Sequence, residues 1–371
     1  MKILVSDDQA DVLEAIRLLL KGAGHRTETA DSPRAAVAAM ERDSFDLILM
    51  DMNYSRDTTS GDEGLALLDT LLTHDALVPV IVMTAWSSVD LAVEAMRRGA
   101  VDFIQKPWDN ARLLATIEKQ ANRSKERRNA RSELEIARHV QQRLLPQHAQ
   151  QLKTVAFGGR CLPAREIGGD YYDFLDLGPG RLGALLADVS GKGVAAALLT
   201  ANLQASFRSQ LELGMKLPKA LLASVNKLFH ESTPAEYFAT MFFAEYRDQT
   251  RELRYINCGH PSALLVRADG EIERLEATAL PIGIFSSWKC DEKSVTLAPG
   301  DVLIAFSDGV LEAGVERGEE FGEARLIEAL QAARGGELEP LLDSIIGEVL
   351  RFSPEVQSDD VTLIALSCRR A

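Results

Sequence analysis

Through its first 120 residues the chain alternates short apolar runs with amphipathic stretches. Runs at Ile3–Val5, Asp46–Met50, Pro79–Met83 and Asp102–Gln105, with a weaker one at Arg26–Thr29, predict five strands. Between them Val12, Ile16, Leu19 and Leu20 fall on one helical face, and Ala35–Met40, Leu65–Leu72 and Leu91–Met96 repeat that spacing. Regular βα alternation predicts a doubly wound, five-stranded parallel sheet over residues 1–120. Ligands of such sheets gather at the carboxyl ends of the strands.

From Ala111 to Leu145 the pattern becomes one helix without Gly or Pro, ended by Pro146. Leu113, Leu114, Ile117 and Ala121 form a stripe that docks on the first domain, and the middle is charged all round. A second stripe, Ile136, Val140 and Leu144, fits either a solvated linker over 121–150 or a coiled coil that pairs two chains as a homodimer. Over 151–371 the texture changes again. Strand-like segments at Arg181–Ala187, Phe238–Tyr246, Leu253–Cys258, Ser262–Val266, Glu271–Leu275, Asp301–Phe306 and Val361–Leu366 alternate with paired helical stretches. Those stretches are Ala195–Leu213, Pro218–Phe229, Glu323–Ala333 and Glu339–Leu350. Hairpin signals such as Ala268-Asp269-Gly270 predict an α+β domain, a β-sandwich flanked by helices.

Composition narrows the function classes. A net charge of −14 without a basic recognition helix argues against nucleic acid as a partner. No apolar run is long enough to span a membrane, and MKILVSDDQ lacks the shape of a signal peptide. Four scattered cysteines, with no CxxC spacing, predict reduced thiols in a cytoplasmic protein.

The chemistry lies in two groups of acids. Asp7 and Asp8 end the first strand, Asp51 the third, Thr84 the fourth and Lys106 the fifth, so a doubly wound sheet gathers them at one edge. Crowded carboxylates call for a cation, and Mg²⁺ suits oxygen ligands in a cytoplasm. Asp51, on the central strand DLILMD, is the expected nucleophile toward a phosphoryl group. Asp8 and the carbonyl of Asn53 complete the ion's shell with Asp51, and Asp7 supports it. Lys106 and Thr84 attend the phosphoryl group. With DD at 7–8, Asp51, Thr84-Ala85 and Lys106-Pro107, residues 1–120 resemble the receiver domain of bacterial two-component response regulators, a flavodoxin-like fold. The resemblance implies that Asp51 accepts phosphate from a sensor histidine kinase, with Phe103 as the switch aromatic that turns inward as Thr84 moves. The loop MNYSRDTTSGDEG departs from the usual short form of that family.

The second group is dispersed. Asp188 ends a strand before SGKG, Asp308 ends DVLIAFSD, Asp170 follows two glycines, and Asp359 and Asp360 open the last strand. Acids on four segments, each beside small residues, suit two divalent ions that acidify a water for attack at phosphorus. Asp173, Asp176 and His260 read as turn or packing residues, and Lys192 as a solvated side chain. The motifs IARHVQQRLLP, PAREIGGDYYD, LLADVSGKG, YINCGHP, LPIGI, FSDGVLEA and DDVTLIAL resemble the SpoIIE-like (RsbU-like) branch of metal-dependent serine/threonine protein phosphatases, the PPM type. That resemblance implies two Mn²⁺ or Mg²⁺ ions held by Asp170, a bridging Asp188, the carbonyl of Val189, Asp308 and Asp359, with Asp360 the alternative if the pair is shifted by one. Arg165 is the phosphate-binding candidate the resemblance offers, and Lys192 is another where it is not simply solvated.

Together the resemblances imply a response regulator whose phosphorylation at Asp51 controls a phosphatase. Its substrate would be a phosphorylated anti-sigma-factor antagonist (STAS-type) protein in partner-switching signalling. The alternative is a non-catalytic adaptor that sequesters a partner when phosphorylated.

Overall fold

The computed structural model describes residues 1–54, 61–84, 89–146, 151–332, 336–354 and 357–369. The expected loop after Asp51 falls partly on 55–60, and Ala85 and Ala333 also lie outside the described residues. The chain forms two compact units, Met1–Glu133 and Leu134–Ala371.

In the first unit β1 (Lys2–Ser6), β2 (Arg26–Ala30), β3 (Leu47–Asp51), β4 (Val80–Thr84) and β5 (Asp102–Gln105) pair in parallel, in the order β2-β1-β3-β4-β5. Helices α1 (Ala10–Gly22), α2 (Pro33–Arg42), α3 (Asp62–His74), α4 (Val89–Arg97) and α5 (Asn110–Gln142) connect or follow these strands. Two hydrophobic clusters cover the two sheet faces, one around Ile48, Met50 and Leu68 and the other around Leu49, Ile81 and Ile117. A strand covered on both sides must be apolar at every position, which explains why β3 and β4 read as unbroken runs. On α5 the buried residues are Leu113, Ile117, Gln120, Ala121 and Ser124. The Gln120 amide donates to Asp102 Oδ2 at 2.8 Å and the Ser124 hydroxyl to the Leu77 carbonyl at 2.7 Å. These bonds carry the docked part of the helix beyond the apolar stripe. Farther along, Ile136 and Val140 are 62% and 59% exposed.

The second unit is a sandwich of two antiparallel sheets. One has the order β13-β10-β9-β8-β7, built from β7 (Asp170–Asp176), β8 (Arg181–Val189), β9 (Ala239–Arg247), β10 (Glu252–Cys258) and β13 (Lys293–Thr296). The other has the order β12-β11-β14-β15-β6, built from β6 (Val155–Leu162), β11 (Ala263–Val266), β12 (Ile272–Leu275), β14 (Val302–Phe306) and β15 (Val361–Cys368). A cluster including Leu186, Phe242, Leu265 and Ile364 fills the space between them. The outer face of the first sheet packs with α6 (Val194–Glu212) and α7 (Pro218–Ser232). The outer face of the second packs with α9 (Gly322–Ala332) and α10 (Leu338–Phe352), while a single turn, α8 (Asp308–Leu311), follows β14.

Three strands, β6, β7 and β13, were not apparent as apolar runs. β7 carries a fully buried acid, Asp173, which accepts from the Tyr171 hydroxyl at 2.6 Å and from the Arg208 guanidinium. A buried carboxylate is tolerated when it is hydrogen-bonded and charge-paired. β13 is a four-residue edge strand of mostly exposed residues. Among the described residues no helix is long and apolar enough to cross a membrane, and all four cysteines are free.

Candidate functional site

The parallel sheet brings its strand-end acids together as its topology requires. Ligand oxygens of Asp7, Asp8 and Asp51 all lie within 4.8 Å of one another. The Lys106 ammonium reaches back from the end of β5 to Asp7 Oδ2 at 2.6 Å and Asp51 Oδ2 at 3.0 Å. The second oxygen of each acid takes a backbone amide: Gln9 N–H donates to Asp7 at 2.9 Å and Met52 N–H to Asp51 at 2.9 Å. Burial pushes the Asp51 carboxyl up, Lys106 opposes this, and Asp7 adds to it. Thr84 is buried at the end of β4, while Phe103 is 40% exposed. Asn53 is half-buried, and its side-chain oxygen has no hydrogen-bond partner. Tyr54 belongs to the same environment, although no motif or spacing singles it out. Its buried hydroxyl is 2.7 Å from Ser6 Oγ, and burial raises its pKa first, with Asp51, Asp7 and Asp8 adding.

The second group is assembled from four segments. Register places Asp170 on β7 opposite Asp188 on β8, and Asp188 opposite Thr240 on β9. Asp308 opens α8 directly after β14, and Asp359 and Asp360 precede β15. Asp170 is only 5% exposed, and its Oδ2 is buried without a partner. Burial pushes its carboxyl well up, and Asp188 and Asp360 push the same way. The Asp188 carboxyl is pushed up to about 7, by burial first and then by Asp308, Asp359 and Asp360, against the pull of Lys192. Asp308 is raised by burial and by Asp359. Each acid therefore feels others of the set, yet among the described residues only the receiver trio draws three ligand oxygens within 4.8 Å.

Asp359 and Asp360 have different occupations. Asp360 Oδ1 accepts from Ala164 N–H at 2.8 Å, and its Oδ2 accepts from Gly169 N–H at 2.6 Å and Asp170 N–H at 3.2 Å. It anchors the loop that carries Asp170. A Cβ at Gly168 would lie 2.3 Å from the same carboxylate, so the loop can lie this close only as glycine. Asp359 instead turns toward Lys192, 2.8 Å from its Oδ2. Val189 is buried, and a Cβ on Gly169 would come within 2.9 Å of its carbonyl oxygen. Arg165 is exposed and lines a small cleft with Lys192, Asp359 and Asp360.

A contact not apparent from the sequence fixes the other side of this loop. The Gln141 side chain donates to the Gly168 carbonyl at 2.6 Å and accepts from Gly168 N–H at 3.1 Å. Gln141 lies in the IARHVQQRLLP motif, where helical spacing alone marks it as a surface residue. The residues read as packing or turn groups have partners of their own. Asp176 accepts from Gly178 N–H, and the buried His260, whose pKa burial lowers to about 3, pairs with Thr240 Oγ1.

The donor sets fit hard divalent cations. All are oxygens, Asp170 presents an orphaned buried oxygen, and burial, with neighbouring acids adding, raises the Asp170 and Asp188 carboxyls.

Comparison with known proteins agrees with this division. The family profile of stage II sporulation protein E (SpoIIE) matches residues 178–369, and that of the response regulator receiver domain matches residues 3–118. Phosphoserine phosphatase RsbU of Bacillus subtilis (strain 168) is 32% identical over 239 residues, covering 64% of this chain and 70% of RsbU. The transcriptional regulatory protein ZraR of Escherichia coli (strain K12) is 38% identical over 117 residues, covering 32% of this chain and 25% of ZraR. The solved SiaA-PP2C domain of Pseudomonas aeruginosa superimposes with a TM-score of 0.58 at 22% identity, covering 66% of this chain and 99% of that domain, which supports the fold. The chain thus belongs to the SpoIIE family, its phosphatase domain preceded by a response regulator receiver domain.

Proposed function

We propose that this chain is a cytoplasmic response regulator in which phosphorylation of Asp51 by a sensor histidine kinase controls hydrolysis of phosphoserine or phosphothreonine on a STAS-type protein. The observation that carries the catalytic half is the register that sets Asp170 opposite Asp188, with a buried, unpartnered Asp170 oxygen; burial first and neighbouring acids second raise Asp170, Asp188 and Asp308, a charge arrangement completed by divalent ions. Asp170, Asp188, Asp308, Asp359 and the Val189 carbonyl would hold two Mn²⁺ or Mg²⁺ ions. When bound, these supply a water of lowered pKa and electrophilic help at phosphorus. Asp360 and Gln141 hold the loop bearing Asp170 in place, and Arg165 at the cleft rim receives the substrate phosphate.

In the receiver, Asp7, Asp8, Asp51 and the Asn53 carbonyl would hold one Mg²⁺. Asp51 attacks the phosphoryl donor, and Lys106 and Thr84 attend the transferred group. Coupling runs along α5, which carries both the docked residues Leu113 and Ile117 and, near its end, the Gln141 clamp on Gly168. The exposed pair Ile136 and Val140 is the surface through which two chains would associate.

The test incubates the full chain with a phosphorylated STAS protein and Mn²⁺, with and without a small phosphoryl donor. Donor-dependent phosphate release that becomes donor-independent in Asp51→Asn supports the reading. Equal rates in all arms would end the coupling, and no release under any condition would favour an adaptor.

A further inference from the structure

Lys192 sits in the turn between β8 and α6, flanked by Gly191 at φ +96° and Gly193 at φ +74°. Both glycines occupy the left-handed region, so the chain can reverse tightly on either side of the lysine. Its ammonium donates to the Ser358 carbonyl at 2.7 Å and lies 2.8 Å from Asp359 Oδ2. It thereby joins the turn after β8 to the segment entering β15. The bond to Asp359 is the leading cause of the raised Lys192 pKa. Asp188 and Asp308 both feel this ammonium as an opposing charge, and Arg165 is the other cation acting on it.

Asp359 has two oxygens to offer. Its Oδ1 accepts the backbone N–H of Asp360 at 2.9 Å, and its Oδ2 is the one that meets Lys192. The oxygen without a backbone bond is the one the ammonium already uses. The pair is partly exposed, 48% for Lys192 and 32% for Asp359, so it is weak enough to be exchanged. A lysine suits that role: its charge is compact and its stem flexible.

We propose that Lys192 is a tethered competitor cation: its ammonium must withdraw from Asp359 before a divalent ion takes that carboxylate, and it thereby sets the concentration at which the site fills. This rests on the two-ion reading above. Loss of the ammonium removes both the competitor and its repulsion of the incoming dication, tightening the weakest phosphatase ion by roughly three- to tenfold.

The test is a Mn²⁺ titration of the full chain without substrate, by calorimetry or electron paramagnetic resonance. Wild type, Lys192→Met, Lys192→Gln and Lys192→Arg are compared at one pH. The receiver ion is common to all four and cancels in the comparison. Tightening by roughly three- to tenfold in the folded Met or Gln variant, with Arg within about twofold of wild type, is the expected result. Unchanged or weaker binding in folded neutral variants, while wild type binds more ions than Asp188→Asn, overturns the competitor and leaves the two-ion reading standing. Wild type binding no more Mn²⁺ than Asp188→Asn overturns both.

Discussion

Both units gather acids at strand ends beside a lysine, and they solve the resulting repulsion differently. In the receiver three carboxylates crowd within 4.8 Å, and Lys106 sits between Asp7 and Asp51 at 2.6 and 3.0 Å. In the phosphatase unit the acids come from four segments, Lys192 forms its ion pair with Asp359, and Asp170 lies buried with an unpartnered oxygen. A compact site with a built-in cation suits one ion and a nucleophilic carboxylate. A dispersed site with deficient compensation suits two ions and a water. The difference lies in how much of the charge balance the protein supplies itself.

Breaking the dispersed site has the largest expected effect. Asp188→Asn removes the acid that feels Asp308, Asp359 and Asp360 together, and phosphatase turnover should fall about a thousandfold or more. Phosphoryl uptake at Asp51 should be untouched, so labelling and phosphate release in the same preparation check both halves. Asp360→Ala strands three backbone amides and should cost about 3 kcal/mol, roughly a hundredfold in the folding equilibrium. Asp359→Ala, with its partly exposed ion pair, should unfold close to wild type in denaturant.

A smaller effect comes with pH. With the Asp188 carboxyl near 7, protons and ions compete for it, so Mn²⁺ affinity should drop about tenfold per unit as pH falls below about 7 and level off above. The folding contribution has the opposite sign. A raised carboxyl binds its proton more tightly when folded, so the stability it contributes is full below the ordinary carboxylate pKa and lost as pH rises toward about 7. Melting of chelator-treated wild type at pH 5 and 8 should show this slope, and Asp188→Asn should show less of it. The smallest effect belongs to Gln141→Ala. Two lost hydrogen bonds to Gly168 should reduce turnover by roughly three- to tenfold, with receiver phosphorylation unchanged. Unaltered turnover would detach α5 from the acid cluster.

Much of this architecture was legible because burial writes itself into sequence. The parallel strands are covered on both faces and read as apolar runs, and the strand-end acids stand out against them. β7 stayed hidden because Asp173 interrupts its pattern, and the groups that make that acid tolerable include Arg208, 35 residues away. The roles of Asp359 and Asp360 could not be separated in a DD pair, since the amides that bind Asp360 lie 190 or more residues upstream. Gln141 looked like helix surface because its partner is a backbone group on a distant loop. Sequence showed which groups are chemically unusual, whereas their partners depended on tertiary closure.

The adjacency of Asp359 and Asp360 has a consequence for change over time. One carboxylate faces a cleft and its neighbour faces the chain's own amides, so the two share a spelling but not a task. A one-residue slip ahead of β15 would exchange the anchoring carboxylate with the one that meets Lys192, damaging folding and, on the two-ion proposal, ion capture together. Insertions and deletions should therefore be excluded from this stretch far more strictly than point substitutions.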